Sequence, residues 1–165
     1  MSYLNSEIRS ILANSFLLHT TFQRESDGKQ RTIETTFTWD KGHSIFLSGF
    51  PGKRDWVASM MKAARVTVQT VETSASGLHY QLSGHARVLR DRQLRMPHLL
   101  DFIDHWSKRG SNYSPFRIAL TLIKLNHRLK LPWWGPFYLA RNILDRMPCV
   151  EIILDGQYHI VSRDF

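Results

Sequence analysis

Alternating apolar residues in the first half of the chain are the feature that most limits its fold. In residues 16–22 and again in residues 33–39, every second position is apolar or threonine. A period of two places these side chains on one face of a β-strand. The polar segment between the two runs contains Asp27-Gly28, a strong short signal for a hairpin. The pattern therefore predicts an antiparallel pair of strands.

Four more segments continue this pattern. Strands are predicted at residues 44–48, 66–71 and 78–89, and a last strand at 149–154. Gly84 lies inside the fifth strand, where we expect a bulge or a bend. Short helices are predicted at residues 2–14 and 56–64. The first five strands are expected in meander order with the last strand closing the sheet, which predicts an α+β fold: a mostly antiparallel, six-stranded split β-barrel with flanking helices.

The second half of the chain has a helical pattern instead. Helices are predicted at residues 91–106, 114–129 and 137–146, with Leu94, Leu99, Leu100, Ile103 and Trp106 as the buried side of the first. Pro97 is expected to interrupt or restart that helix. We therefore predict one domain, residues 1–165. Its parts are a barrel half at 16–90, a helical insertion at 91–147 and a closing strand at 148–155.

Composition fits a single globular domain and excludes several classes. The chain has 165 residues, of which 42% are hydrophobic and 22% charged, which excludes a wholly disordered chain, a collagen and a coiled coil. The single cysteine, Cys149, excludes an internal disulfide framework and a cysteine-cluster zinc site. No uncharged run approaches the ~18 apolar residues of a membrane-spanning helix. Because Glu7 stands where a signal peptide needs basic residues, we expect a cytoplasmic protein.

The charge of the chain indicates its partners. Lys and Arg number 22 against 14 Asp and Glu, a net charge of +8. Residues 84–165 hold thirteen basic and seven acidic side chains, net +6, and residues 105–141 contain no acidic residue. Such a field favours a phosphate-bearing cofactor, nucleic acid or an anionic membrane surface, without choosing among them.

Two segments of the barrel half are candidate anion sites. The hairpin tip carries Arg24, Lys29 and Arg31, and converging cations of this kind suit a phosphate. An ordinary charged hairpin on a basic protein would look the same.

The second candidate is the segment 48–56, where a strand ends, a Gly-rich loop follows and a helix begins. Free backbone N–H groups and a helix N-terminus bind anions, and Lys53 and Arg54 add charge. The alternative is a plain connection with Asp55 as the helix cap and Trp56 as a core anchor.

These two segments resemble motifs of the flavin-type split-barrel oxidoreductases, in particular the deazaflavin-dependent nitroreductase branch. The hairpin motif is represented by Thr20, Thr21, Arg24, Ser26, Gly28, Lys29 and Arg31, and the loop motif by Ser48, Gly49, Gly52, Lys53 and Trp56, followed by Val66 and Val68. The sequence departs from the family at Gln23, Glu25, Ser59 and Ala63-Ala64, and Asp27 reads as a one-residue insertion. The resemblance covers about residues 16–90.

The resemblance implies an oxidoreductase that transfers a hydride between coenzyme F-420, a 5-deazaflavin, or alternatively FMN, and a small organic acceptor. It also implies a homodimer. Lys29, Arg31, Lys53 and Arg54 are then the candidates for the phosphate end, and the backbone around Gly49 and Phe50 for the ring. Ser48 and Trp56 complete the candidate cofactor-binding set, with Trp56 more an anchor of the helix than a cofactor contact. The proton donor and the substrate are not identified.

Other functions remain open. The same barrel suits a non-catalytic carrier of flavin or haem. The basic second half suits a nucleic-acid-binding protein, although no strand interleaves aromatic and basic residues. The eight histidines lack metal-ligand spacing, so no metal site is expected.

Residues 131–139 are unusual because they hold Trp133, Trp134, Phe137 and Tyr138 beside basic residues. They are consistent with a lid over the cofactor, a core or dimer contact, or a peripheral membrane contact. We expect them to be ordered and to pack at the mouth of the cofactor groove.

Overall fold

The protein folds as a closed six-stranded barrel with five helices around it, as seen in a computed structural model that describes residues 4–24, 26–61, 65–108 and 114–161. In chain order the elements are α1 (Ser6–Asn14), β1 (Leu17–Gln23), β2 (Gln30–Trp39), β3 (Ser44–Ser48), α2 (Asp55–Ser59), β4 (Arg65–Thr70), β5 (His79–Val88), α3 (Arg92–Ser107), α4 (Ser114–Arg128), α5 (Pro136–Arg146) and β6 (Cys149–Val161). Residues 62–64, the end of the second predicted helix, lie outside the described residues, as do residues 2 and 3 of the first.

The strand order around the barrel is β1-β2-β3-β6-β5-β4, and all six pairings are antiparallel. The split-barrel prediction is confirmed, but the simple meander is wrong. After β3 the chain crosses through α2, and β4 pairs with β1 instead of β3. The position beside β3 is taken by β6, which closes the barrel and continues to Val161, well beyond the predicted end at 154.

Side chains at every second position of the strands point inward and form the barrel interior. Leu18, Thr20 and Phe22 of β1 are buried, and so are Thr35 and Phe37 of β2. The two inward threonines satisfy each other, because their hydroxyl groups are 2.8 Å apart. The two threonines can therefore lie inside the barrel without leaving a hydroxyl group unpaired.

Helix α1 covers one end of the barrel. Its N-cap is Asn5, whose side chain accepts the Ile8 N–H at 2.8 Å. Ile8, Ile11 and Leu12 are buried in the same apolar cluster as the barrel interior. The predicted amphipathic helix thus contributes its apolar face to the main core.

Gly84 marks the predicted irregularity in β5. The register of the β5–β6 pair shifts between Leu82 and Gly84. A Cβ at position 84 would lie 2.5 Å from the carbonyl oxygen of Ile153, so the close approach of the two strands requires glycine there.

The helical insertion forms a second core against the outside of β3 and β6. Helix α3 begins after the cap Asp91 and runs unbroken through Pro97, so the predicted interruption is wrong. The N–H that proline lacks would have bonded the carbonyl of Gln93, an exposed residue, where the loss is tolerated. Leu94 was also wrongly predicted as buried: it is 62% exposed, because it lies about 200° around the helix from the buried Met96.

Ion pairs fix the insertion. Asp145 on α5 accepts from Arg92 at 2.7 Å and from Arg95 at 3.2 Å, both on α3. Burial works against the charged carboxyl, but the two guanidinium groups prevail and lower the pKa of Asp145 below its ordinary value. Helices α3 and α5 are therefore joined by this charged cluster and by the packing of Leu144 of α5 in the same apolar core as α3.

Candidate functional site

The two candidate anion segments meet in the structure. Arg31, near the start of β2, contacts the Oδ2 atom of Asp55 at the start of α2 through its Nη1 atom, 3.2 Å away. The hydrogen bond from Arg31 is the main cause that lowers the pKa of Asp55. The hairpin tip and the loop after β3, which are distant in sequence, therefore lie side by side.

The loop after β3 runs alongside β2. Ser48 at its start is paired with Thr36, and Asp55 at its end reaches Arg31. Five residues of strand separate Thr36 from Arg31, which is about 16 Å at ~3.3 Å per residue. Loop 49–54 and β2 thus define an elongated site with apolar and glycine residues at one end and cations at the other.

The other candidate cations of these two segments lie at the surface. Lys29, Lys53 and Arg54 are exposed, and none of them is ion-paired with a carboxylate of the described residues. Arg54 is the N-cap of α2 and makes no side-chain cap hydrogen bond, whereas Asp55 is the first helical residue. The alternative in which Asp55 caps the helix is therefore wrong. Since α2 spans only five residues, it offers no helix-terminus site, and the exposed cationic side chains are the remaining candidates for binding an anion.

The other candidate residues divide into structural and exposed groups. The Ser48 hydroxyl is buried and donates to the Pro148 carbonyl at 2.8 Å, which ties β3 to the closing strand. Trp56 packs against the barrel core as an anchor. Phe50, in contrast, is 83% exposed beside Gly49. Gly49 and Phe50 are also the two residues of the candidate cofactor set that line the apolar cavity described next.

An apolar cavity of about 550 Å³ lies against the start of this loop. Gly49, Phe50 and Pro51 form one wall, helices α3, α4 and α5 form most of the rest, and Thr36 of β2 and Met147 complete the lining. The helical lining is Leu100, Phe102, Ile103, Trp106 and Ser107 of α3, Ala119, Leu120 and Ile123 of α4, and Ala140, Ile143 and Leu144 of α5. The described lining residues include none from 131–139, so the lid expected from that segment stays a prediction.

The cavity wall offers few polar groups to a ligand. Among its described residues, Thr36 and Ser107 carry hydroxyls, and both are engaged: Thr36 donates to the Ser48 carbonyl at 2.6 Å and Ser107 to the Asp104 carbonyl at 2.7 Å. Such a wall favours an apolar ligand, because a polar one would lose its water without gaining hydrogen bonds.

Sequence reasoning missed this cavity. Residues 105–147 matched no motif, and nothing in them indicated which faces would meet. A weak signal was present: Ala119 and Ala140 are small residues within otherwise bulky apolar helices, and both line the space. Only the docking of three helices around the loop shows that these alanines leave room for a ligand.

Two titratable side chains of the second core have shifted pKa values. His98 stacks on Phe46 with ring centroids 3.6 Å apart, and burial lowers its pKa. Burial also raises the pKa of the Cys149 thiol to about 12, so this cysteine is inert. In the described part of the chain, no three His, Cys, Asp or Glu side chains cluster as metal ligands would. Nor does any helix there have the length and hydropathy to cross a bilayer.

Comparison with known proteins places the fold. No protein-family model and no curated protein matches the chain. Among solved structures, it is similar to the FAD and heme binding protein from Mycobacterium smegmatis at 15% identity and a TM-score of 0.63, covering 99% of this chain and 74% of that one. A FAD-binding protein from Mesorhizobium loti gives 18% identity and a TM-score of 0.53, covering 96% of both chains.

An F-420 reductase gives 13% identity and a TM-score of 0.54, covering 94% of this chain and 98% of that one. At these identities the likeness is one of architecture. The class of protein that fold and comparisons define is the split β-barrel whose solved examples include flavin- and deazaflavin-associated proteins.

Proposed function

We propose that this protein is an oxidoreductase that binds coenzyme F-420, or alternatively FMN, along loop 49–54 and transfers a hydride to or from an apolar organic substrate. The cofactor supplies the hydride chemistry when it is bound. The protein's own residues bind it, orient it and keep water from the reacting face.

The observation that carries the proposal is the position of loop 49–54. Its first residues wall the apolar cavity, and Asp55, the first residue of α2 directly after the loop, contacts Arg31 at the cationic end. A cofactor with a planar ring and a phosphorylated tail has this same division of chemistry. Arg31, Lys53 and Arg54, with Lys29 nearby, would hold the phosphate, while the backbone of Gly49 and Phe50 would face the ring.

The cavity has the chemistry of a substrate site. A volume of about 550 Å³ lies within the ~300–1,000 Å³ typical of small-molecule pockets. Its apolar wall would hold a hydrocarbon or aromatic substrate against the ring and exclude water from the transfer. No side chain is assigned as proton donor, and the role of the chain is therefore binding and orientation.

The structural neighbours support a cofactor of this type. They are named for F-420 reduction, for FAD binding and for FAD and heme binding. A homodimer, which the family resemblance implies, is part of the same proposal. A carrier without turnover is the alternative, and it would bind the cofactor but leave its redox state unchanged on addition of acceptors.

Charge variants test the assignment of the cationic end. Lys53→Ala and Arg31→Ala should each weaken F-420 or FMN binding by about 1.5–3 kcal/mol, roughly 10- to 150-fold, because each removes a charge-assisted contact. The free energy of unfolding, measured with urea, should change by less than ~0.5 kcal/mol, since both side chains are at the surface. Binding is measured by fluorescence titration at low and moderate salt.

Arg9→Ala is the matched control, because Arg9 is an exposed cation on α1 outside the proposed site. It should leave cofactor affinity unchanged. Equal losses of affinity in the Arg9 and Lys53 variants would mean that only the overall charge matters. Equal losses of affinity and stability in the Lys53 variant would make that residue structural.

A further inference from the structure

The outer side of helix α4 is apolar and exposed. Ile118, Leu122, Leu125 and Leu129 recur at spacings of four, three and four residues, which places them in one stripe along the helix. All four are about half exposed. The opposite side of α4, with Leu120 and Ile123, packs on the second core, so α4 has two apolar sides and only one is covered.

The connection to α5 continues this exposed surface. Trp134 is 64% exposed and Leu139 is 65% exposed, with Leu131 and Tyr138 close to half exposed. Trp133 in the same segment packs inward on the second core, which holds the connection in place. One apolar surface thus extends over the outer stripe of α4, the connection 129–135 and the start of α5. We call this surface of the α4–α5 helical hairpin the hairpin face; it is separate from the hairpin tip between β1 and β2.

The charge of the hairpin face has one sign. Arg117 and Arg128 lie beside the outer stripe of α4, and Lys130 follows in the connection; all three are exposed. No acidic residue occurs from 105 to 141. The first one after it, Asp145, is held by Arg92 and Arg95 on α3. A second copy of this chain would bring like charges together around a two-fold axis, which disfavours a dimer through this face.

We propose that the hairpin face docks on the surface of an anionic lipid bilayer. Exposed Trp, Tyr and Leu side chains enter the boundary between headgroups and acyl chains, and basic residues beside them meet the anionic headgroups. Both features occur here on one continuous stretch of chain. In the docked protein Ile143, which is 54% exposed and also lines the apolar cavity, lies toward the membrane side.

The experiment is vesicle sedimentation of the full-length protein. Vesicles of phosphatidylcholine alone are compared with vesicles that also contain phosphatidylserine at about a third of the lipid. We expect binding to the anionic vesicles only, with an affinity that falls as salt is raised. Trp134→Ser combined with Leu139→Ser should lower the bound fraction at least tenfold. Arg128→Gln with Lys130→Gln should lower affinity about 25-fold, since each basic side chain contributes roughly fivefold.

Ile160→Ser is the matched apolar control, because Ile160 on β6 is 60% exposed and lies outside the hairpin face. It should bind as the wild type does, and circular dichroism of every variant confirms the fold. Equal binding to neutral vesicles, or unchanged binding of the Trp134 and Leu139 double variant, would overturn the proposal. So would absence of vesicle binding together with a dimer in sedimentation velocity that the same double variant abolishes.

Discussion

Gly84→Ala tests the closure of the barrel. The added Cβ would lie 2.5 Å from the Ile153 carbonyl oxygen and 2.9 Å from the Ile152 Cγ2 atom. Because the oxygen belongs to the backbone of β6, it moves only if the strand moves. A favourable carbon–oxygen contact is nearer ~3.5 Å, so the strands must separate by about 1 Å. Overpacking of this kind costs ~1–3 kcal/mol or more.

The sign of this effect is informative because glycine-to-alanine replacement normally acts the other way. Where the backbone conformation is compatible, it stabilises by ~0.4–1 kcal/mol through the unfolded chain. Gly49 supplies that control for stability, since a Cβ there meets no atom within 4 Å. Urea unfolding followed by tryptophan fluorescence gives both free energies.

We expect Gly84→Ala to lower the free energy of unfolding by at least ~1 kcal/mol, and Gly49→Ala not to lower it. For a chain of this size a loss of 1 kcal/mol lowers Tm by about 2–4 °C. A Gly84→Ala protein as stable as the wild type would mean that β5 and β6 do not approach as described, and the closed barrel would be refuted.

Two further predictions concern the helical insertion and the buried thiol. Asp145→Asn should destabilise by about 1–3 kcal/mol at pH 7, because Arg95 loses its charged partner. The pKa of Asp145 is lower in the folded protein than in the unfolded chain, so the carboxylate stabilises the fold above the unfolded pKa and stops doing so as pH falls through the folded pKa. Urea unfolding should therefore show a smaller effect of the variant at pH 3 than at pH 7. An equal effect at both pH values would contradict the ion-pair explanation. Cys149, with its pKa raised to about 12 by burial, should react with a thiol reagent at pH 8 at least ~100-fold more slowly in the native protein than in urea, and fast native reaction would contradict its placement in the core.

The barrel half was predictable because its information is local. Strand alternation, the Asp27-Gly28 turn and the Gly84 irregularity are all read within short windows, and all appear in the structure. The strand order was not predictable in the same way. Whether β4 pairs with β3 or with β1 depends on the path through α2, and no local pattern encodes it.

The site was predictable at one end only. Cations at the hairpin tip and after β3 are visible in the sequence, and their proximity follows once β2 and β3 pair. The apolar cavity was invisible because it depends on how α3, α4 and α5 dock on the loop at Gly49. The Pro97 prediction failed because a helix held by tertiary packing tolerates a proline that local rules disfavour. The Leu94 prediction failed because that residue lies on the opposite side of α3 from the buried Met96.

The central claim is that loop 49–54 holds a flavin-type cofactor. The most direct measurement is a fluorescence titration of the purified wild-type protein with coenzyme F-420 and, separately, with FMN. We predict saturable binding of at least one of them with Kd below ~100 μM, about −5.5 kcal/mol, weakening as salt is raised. Failure of both to bind at that concentration in low salt would contradict the proposed function.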